Sequence, residues 1–128
     1  MTKRAPSELD TRAPEEFLPL TPAVFHILVA LGDGEAHGYA IMQDVLQRTG
    51  GSMRLSAGTL YGAVSRLLED GLIEECEVRP DRDIDDARRR YYRLSNLGTR
   101  VLAGETRRLS ELLRAARSTK AIRKMKPV

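Results

Sequence analysis

The sequence LSAGTLYGAVSRLLEDGLI, residues 55–73, decides the fold of this 128-residue chain. Ser56 offers a side-chain oxygen ahead of a helix, and Gly71 follows as a stop signal. Four apolar residues recur at i, i+4, i+7 and i+8 and form one stripe: Leu60, Val64, Leu67 and Leu68. The opposite face carries Thr59, Tyr61, Gly62, Ser65, Arg66 and Glu69. The pattern predicts a short helix that is buried on one face and free on the other.

The composition sets the class of protein to which this helix belongs. A length of 128 residues with 41% hydrophobic content predicts one compact domain. The single cysteine, Cys76, excludes an internal disulfide, and no apolar run approaches the ~18 residues that a membrane span needs. The first ten residues lack the apolar segment of a signal peptide. We therefore expect a cytoplasmic protein without a membrane segment.

Positive charge is concentrated in two segments of the chain, although the net charge is only +3. Residues 79–93 hold six arginines against four aspartates, and residues 114–128 hold six cations and no acid. Residues 20–70 are slightly acidic. The sequence thus predicts a local basic surface on one loop and on the C-terminal tail.

Two segments lead up to the central helix. Residues 1–19 contain three prolines and are predicted to form a flexible arm, with Phe17 and Leu18 docking on a partner subunit. Thr21 and Pro22 then start a helix that should end near Leu31. Residues 32–38, GDGEAHG, lack the lysine and hydroxyl residue that end a phosphate-binding loop, so we interpret them as a flexible turn.

A second helix, over residues 39–49, completes the approach to the central helix. Its apolar residues are Ile41, Met42, Val45 and Leu46, and two glycines end it. Two short amphipathic helices joined by a brief connector indicate a helix-turn-helix, with the second helix exposed along its polar face.

A β-hairpin is predicted directly after the central helix. Residues 72–78 and 88–95 alternate as strands around a polar tip at 79–87. Arg89 and Arg93 are expected to pair across the hairpin with Glu75 or Glu77. A hairpin in this position is the wing of a winged helix.

The last helix is longer than so small a domain can cover. It should run over residues 96–117, capped by Ser95, and its apolar stripe suggests pairing with a second copy. The expected dimer interface contains Leu102, Leu109, Leu112, Leu113 and Ala116. The predicted fold is mainly α with a small β-hairpin: a winged helix-turn-helix domain over 20–94, a dimerisation helix over 95–117, and a basic disordered tail over 118–128.

Three segments resemble the PadR family of bacterial winged-helix regulators. They are ILVALGDGEAHGYAIMQDV at 27–45, LSAGTLYGAVSRLLEDGLI at 55–73 and RRRYYRLSNLGTRVL at 88–102. The succession His-Gly-Tyr, Gly-Thr-Leu-Tyr, Gly-Leu-Ile, Arg-Tyr-Tyr and Leu-Ser-x-x-Gly carries the resemblance. A single C-terminal helix is similar to the smaller PadR subgroup, which dimerises through that helix alone.

The resemblance implies a transcription factor that binds double-stranded DNA as a homodimer. It further implies a repressor, an inverted-repeat operator with ATGT and ACAT arms, and release by a small hydrophobic effector at the dimer interface. The chain has no tryptophan, whereas multidrug-sensing members hold flat aromatic ligands between tryptophans of the last helix.

The candidate DNA-binding residues follow from the free face of the central helix and from the wing. Tyr61, Ser65 and Arg66 would face base edges, and Ser56 and Thr59 would bond phosphates near the helix start. Arg82 and Arg88, near the wing tip, would reach the minor groove or its phosphates. For the helix residues, solvated surface is the alternative role, and Tyr61 could instead pack under the wing.

An apolar effector pocket is expected between the first helix and the last helices of the dimer. Its candidate residues are Phe17, Phe25, Leu109 and Leu113, for which core packing is the alternative role. Cys76 could sense oxidants, but a lone cysteine in a strand is usually a small hydrophobe. His26 and His37 lack acid or thiol partners at ligand spacing, so neither a metal site nor a cofactor is expected.

Two other classes of function were weighed against DNA binding. The slightly acidic body favours a protein-interaction module built on the same winged helix. An enzyme is the least supported class, because the sequence contains no nucleophile, base and acid cluster and no phosphate loop.

Overall fold

The computed structural model describes residues 12–76 and 90–125. A 3-10 helix, Pro14–Phe17, precedes five α-helices: α1 Pro22–Ala30, α2 Gly38–Arg48, α3 Ala57–Asp70, α4 Asn96–Arg117 and α5 Lys120–Arg123. Three strands are interleaved with them: β1 Ala36–His37, β2 Ile73–Cys76 and β3 Tyr91–Leu94. The predicted class is confirmed: the chain is mainly helical and carries a small antiparallel sheet in a winged-helix arrangement.

The predicted helix caps form as hydrogen bonds. The hydroxyl oxygens of Thr21, Ser56 and Ser95 each accept a backbone N–H three residues ahead, at 3.2, 3.1 and 3.0 Å. Gly71 ends α3 in the left-handed region, at φ 79°, where a residue with a Cβ is disfavoured. The central helix and the long helix therefore begin at the capping residues predicted from the sequence.

The sheet has three strands in the order β1-β3-β2, and all pairs are antiparallel. The predicted hairpin accounts for β2 and β3. The turn predicted at 32–38 is present only in the first part of that segment, because Ala36 and His37 form β1. Ala36 pairs with Tyr92, and His37 pairs with Tyr91. Two residues are too few to show strand alternation, and only the tertiary partner creates this strand.

The core lies between α1, α2, α3, the first half of α4 and the sheet. Both tyrosines of β3 are buried, because β3 is the central strand and both of its faces are covered. Tyr92 joins the apolar core, and the Tyr91 ring meets His37 edge-on at 5.3 Å. The largest fully buried apolar side chains are Ile27, Leu28, Ile41, Leu60, Leu72, Ile73 and Leu97.

The ion pairs at the base of the wing differ from those expected. Arg93 Nε bonds Glu74 at 3.1 Å, and Arg90 Nη1 bonds Glu75 at 2.5 Å. The expected pairing of Arg93 with Glu75 or Glu77 is wrong, because the register places Glu74 directly opposite Arg93. Arg89 and Glu77 lie outside the described residues.

The two ends of the described chain also differ from expectation. Phe17 and Leu18, which the sequence analysis expects to dock on a partner subunit, pack against the core of their own chain. Residues 120–123 of the tail, expected to be disordered, form α5, because the Thr119 hydroxyl caps a turn of helix by accepting from Ile122 N.

Candidate nucleic-acid interface

The free face of α3 is the candidate interface. Leu60, Ala63, Val64 and Leu67 bury one side of the helix in the core. The five candidate DNA-binding residues of this element all remain exposed: Ser56, Thr59, Tyr61, Ser65 and Arg66. The structure thus places these residues together on the exposed side of one helix, whose opposite side packs in the core.

The N-terminal end of α3 is suited to an anion. Its first backbone N–H groups have no partner within the helix, and the helix dipole adds partial positive charge there. The Ser56 hydroxyl accepts from Thr59 N and donates to Thr59 Oγ1 at 3.0 Å. Because Thr59 Oγ1 is the acceptor in that bond, its own hydrogen can be donated to a phosphate oxygen.

Tyr61 is in part a structural residue. Its side chain is 46% exposed, and its hydroxyl end lies over the backbone of Gly38, where an added Cβ would collide with it. Tyr61 thereby connects α3 to the first residue of α2. The hydroxyl end of the Tyr61 ring is thus held against α2, while nearly half of the residue remains exposed.

Arg66 supplies the cation of this face. Ser65 and Arg66 lie in the middle of α3 and are exposed. No carboxylate in the described part of the chain forms an ion pair with Arg66. An exposed guanidinium that is not neutralised internally can bond a guanine edge or a phosphate.

The wing contributes less to the described surface than its arginine count suggests. Arg82 and Arg88 lie outside the described residues. Arg90 and Arg93 are paired with Glu75 and Glu74, and each carboxylate raises the pKa of its arginine by accepting a hydrogen bond. These two arginines stabilise the hairpin, and their charge is balanced within the sheet.

The predicted dimer residues divide into two groups along α4. Leu102 is half-buried and packs against the core of its own chain. The other four are exposed, and the three leucines Leu109, Leu112 and Leu113 are 37%, 54% and 52% exposed. The second half of α4 therefore presents an apolar row that no described residue of this chain covers.

The four candidate effector residues lie on three different elements. Phe17, in the 3-10 helix, packs against the core and lies 5.1 Å from the Arg12 guanidinium. Phe25, on α1, meets His26 edge-on at 5.8 Å. Leu109 and Leu113 project from α4.

Glu105 is a buried residue that the sequence analysis missed. It lies in α4 and is only 1% exposed. Its carboxylate accepts from Leu20 N at 2.9 Å and from Arg108 Nε and Nη2 at 2.6 and 3.0 Å. The Arg108 hydrogen bonds lower the pKa of Glu105 against the opposing effect of burial. Its position in the sequence, four residues after Val101 on the apolar stripe, could have indicated that Glu105 is buried.

The remaining candidates are structural. Burial raises the pKa of Cys76, which favours the unreactive thiol. The His37 Nδ1 atom accepts from Ala40 N at 3.2 Å and caps α2. In residues 12–76 and 90–125 no group of three or more metal-ligating side chains occurs, and no helix is long and apolar enough to cross a membrane.

Comparison with known proteins identifies the family to which this geometry belongs. The model of the transcriptional regulator PadR-like family matches residues 27–104, which run from α1 through the sheet into α4. The chain belongs to the PadR-like family. It is 40% identical over 89 residues to Transcriptional regulator Rv3488 of Mycobacterium tuberculosis, covering 70% of this chain and 77% of that protein. The resemblance found in the sequence is thereby confirmed, and the PadR chain functions in transcription regulation.

Solved structures of PadR proteins share the fold. A PadR family transcription regulator from hypervirulent Clostridium difficile R20291 aligns with a TM-score of 0.63 at 26% identity, covering 72% of this chain and 91% of that one. A PadR-like transcription factor from bacteroid fragilis aligns with a TM-score of 0.62 at 24% identity, covering 73% of this chain and 85% of that one. Both likenesses cover more than two thirds of this chain.

Proposed function

We propose that this PadR-family regulator is a DNA-binding repressor that recognises a palindromic operator as a homodimer. The exposed polar face of α3 carries the proposal. It combines a helix N-terminus, hydroxyl groups and the cation of Arg66, which no described carboxylate pairs with, on a helix whose other face is fixed in the core. Winged-helix proteins place such a helix in the major groove.

The residues of this face divide into two tasks. Tyr61, Ser65 and Arg66 face the base edges, and Arg66 donates to a guanine or to a phosphate. Ser56 and Thr59 lie at the helix start and bond phosphate oxygens, which fix the register without reading sequence. Arg82 and Arg88 of the wing contact flanking phosphates or the minor groove.

The apolar row on α4 supports a homodimer. Leu109, Leu112, Leu113 and Ala116 follow the i, i+3, i+4, i+7 spacing of a helix that packs against another helix. Two α3 helices related by the dimer axis would enter successive major grooves about 34 Å apart. The operator is then an inverted repeat with half-sites about one helical turn apart.

An effector would act through the same interface. A small hydrophobic molecule releases the operator only if it binds more tightly to a dimer arrangement that is incompatible with DNA. Phe17, Phe25, Leu109 and Leu113 are the proposed lining, since all four belong to elements at or beside α4.

Footprinting of the DNA directly upstream of its gene tests the proposal. We expect protection of one inverted repeat and nanomolar affinity that falls as salt rises, because phosphate contacts release counterions. Weak, non-specific binding would instead support the second candidate, a protein-interaction module, which the acidic body of residues 20–78 favours.

A further inference from the structure

A nine-residue segment ahead of the winged helix joins the recognition helix to the dimerisation helix. We refer to residues 12–20 as the strap. Its contacts reach Asp70, the last residue of α3, and Arg100, Gly104 and Glu105 of α4.

The strap begins with a bridge made by Arg12. The Arg12 guanidinium donates to the carbonyl oxygen of Asp70, and the Arg12 carbonyl accepts from Arg100 Nη2 at 3.1 Å. The carbonyl groups at the end of a helix carry partial negative charge, which a guanidinium complements. One residue of the strap thus bonds the recognition helix on one side and α4 on the other.

The rest of the strap is fixed along α4. The Glu16 carboxylate accepts from Ala13 N at 3.0 Å and closes the 3-10 turn. Leu18 lies over Gly104, with Cδ1 3.4 Å from the position of an added Cβ. Leu20 N then donates to Glu105 at 2.9 Å. Arg100, Gly104 and Glu105 are spaced at i, i+4 and i+5, so the strap follows one side of the helix.

Without the strap, α4 meets the end of α3 chiefly at its own first turn. The Ser95 hydroxyl donates to Gly71 O at 2.6 Å, and Ser95 N donates to Leu72 O at 3.1 Å. Gly98 rests on the backbone of Leu72. Leu97 and Val101 continue this attachment in the core that α4 shares with α3, and the strap adds contacts further along α4, at Gly104 and Glu105.

The angle between α3 and α4 matters because the proposed dimer contacts on α4 lie far from its first turn. The distance along the axis from Gly98 to Leu113 is about 22 Å at 1.5 Å per residue. A tilt of about 5° therefore moves Leu113 by about 2 Å, a large shift for close-packed side chains. Helix α1 also packs against α4. The strap adds a further attachment, because it bonds both α4 and the recognition helix α3.

We propose that the strap is a positioning element that fixes the angle between α3 and α4 and thereby sets the separation of the two recognition helices on the operator. This inference rests on the proposed function. Arg12 and Glu105 are its positioning residues, and neither is proposed to touch DNA. Loss of the strap would leave each half of the dimer able to bind a half-site but less selective for half-site spacing.

Gly104 offers a matched pair of substitutions that displaces the strap without removing charge. In Gly104→Ala the new Cβ meets only Leu18 Cδ1 at 3.4 Å and Pro14 Cβ at 3.9 Å, which the strap can accommodate. The longer side chain in Gly104→Leu occupies the space of Leu18. Both substitutions favour α4, because glycine is a poor helix former. A second pair is Arg12→Ala with Arg107→Ala, an exposed arginine of α4, as the charge-matched control.

The functional measurement is the preference of each full-length variant for operator spacing. One inserted base pair moves the half-sites by about 3.4 Å and rotates them by about 35°. We expect the wild-type protein, Gly104→Ala and Arg107→Ala to prefer the native spacing by about fivefold or more, and Gly104→Leu and Arg12→Ala to prefer it by less than about twofold. Affinity for a single half-site should be unchanged in all five proteins.

A distance measurement on the free protein separates this inference from the proposed function. Spin labels at Ser65→Cys on α3 and Arg114→Cys on α4, in a Cys76→Ser background diluted with unlabelled chain, report the angle within one chain. We expect a broader and shifted distance distribution for Gly104→Leu than for Gly104→Ala, with circular dichroism showing both folded. Identical distributions would overturn the inference, as would a loss of half-site affinity equal to the loss of spacing preference. Failure of the wild-type protein to bind any operator would instead contradict the proposed function and leave the distance result valid.

Discussion

Replacement of the buried Glu105 tests how strongly the N-terminal segment is attached to α4. In Glu105→Ala the Leu20 N–H loses its acceptor, which costs about 1–3 kcal/mol when the group stays buried. The ion pair with Arg108 adds at most about 1 kcal/mol, because the Arg108 side chain is 36% exposed and solvent screens it. We expect a decrease of about 2–3 kcal/mol in the free energy of unfolding for the alanine variant. Glu105→Gln retains an acceptor and should lose only about 1 kcal/mol.

The contribution of Glu105 should also depend on pH in a defined direction. Its pKa in the folded protein is lowered by Arg108, so the unfolded chain binds more protons between the folded and unfolded pKa values. The stabilisation is therefore complete above the usual glutamate pKa of about 4.3 and is lost as pH falls through the lower, folded value. Wild-type protein and Glu105→Gln should differ most at neutral pH and converge in acid.

Urea unfolding at several pH values and one fixed protein concentration measures both effects. The concentration must be constant because dimer formation would add to the apparent stability. Glu111→Gln, which changes an exposed carboxylate of the same helix, is the control. A loss below about 0.5 kcal/mol for Glu105→Ala, the scale of ordinary surface substitutions, would refute the argument. A difference between wild type and Glu105→Gln that does not change with pH would also refute it.

Three further substitutions test the contacts that shape the interface. Gly98→Ala should lower the free energy of unfolding by about 1–3 kcal/mol, because its Cβ would overlap the backbone of Leu72. The control Gly62→Ala has open space around its Cβ and should not be destabilised. Equal melting temperatures of the two variants would contradict this prediction. Ser56→Ala should cost about 1 kcal/mol by removing the cap of α3, as a thermal melt can check. Leu113→Lys should convert the proposed dimer of the 14.3 kDa chain to a monomer in sedimentation, and an unchanged mass would exclude this row from the interface.

The helices were predictable because their signals are local. The Ser56 and Ser95 caps, the glycine at position 71 and the apolar spacing within α3 and α4 each lie within a few residues of the structure that they specify. The apolar spacing within α3 also predicted which face of this helix is exposed. Local chemistry therefore decided both the fold class and the placement of the candidate interface.

The features that the sequence did not reveal depend on distant partners. Strand β1 exists because Ala36 and His37 pair with β3, more than fifty positions later in the chain. In the sequence, Glu105 resembles an exposed acidic residue, but in the structure it is bonded by Leu20 and Arg108. The partner of Arg93 depends on a strand register that alternation alone leaves open.

The structure also explains why two of the sequence motifs contain a glycine. Gly38 of His-Gly-Tyr lacks a side chain where the Tyr61 hydroxyl of Gly-Thr-Leu-Tyr lies. Gly98 of Leu-Ser-x-x-Gly lets the first turn of α4 rest on Leu72. Separate motifs of the sequence are therefore parts of two close contacts, and both contacts position α3.

Fluorescence anisotropy of operator DNA with Arg66→Ala tests most directly the claim that α3 reads DNA. The reference proteins are the wild type and the charge-matched Arg107→Ala. We predict that Arg66→Ala weakens operator binding by about 1–3 kcal/mol or reduces the salt slope by about one, while Arg107→Ala binds as the wild type does. Affinity and salt slope unchanged in Arg66→Ala would contradict the account.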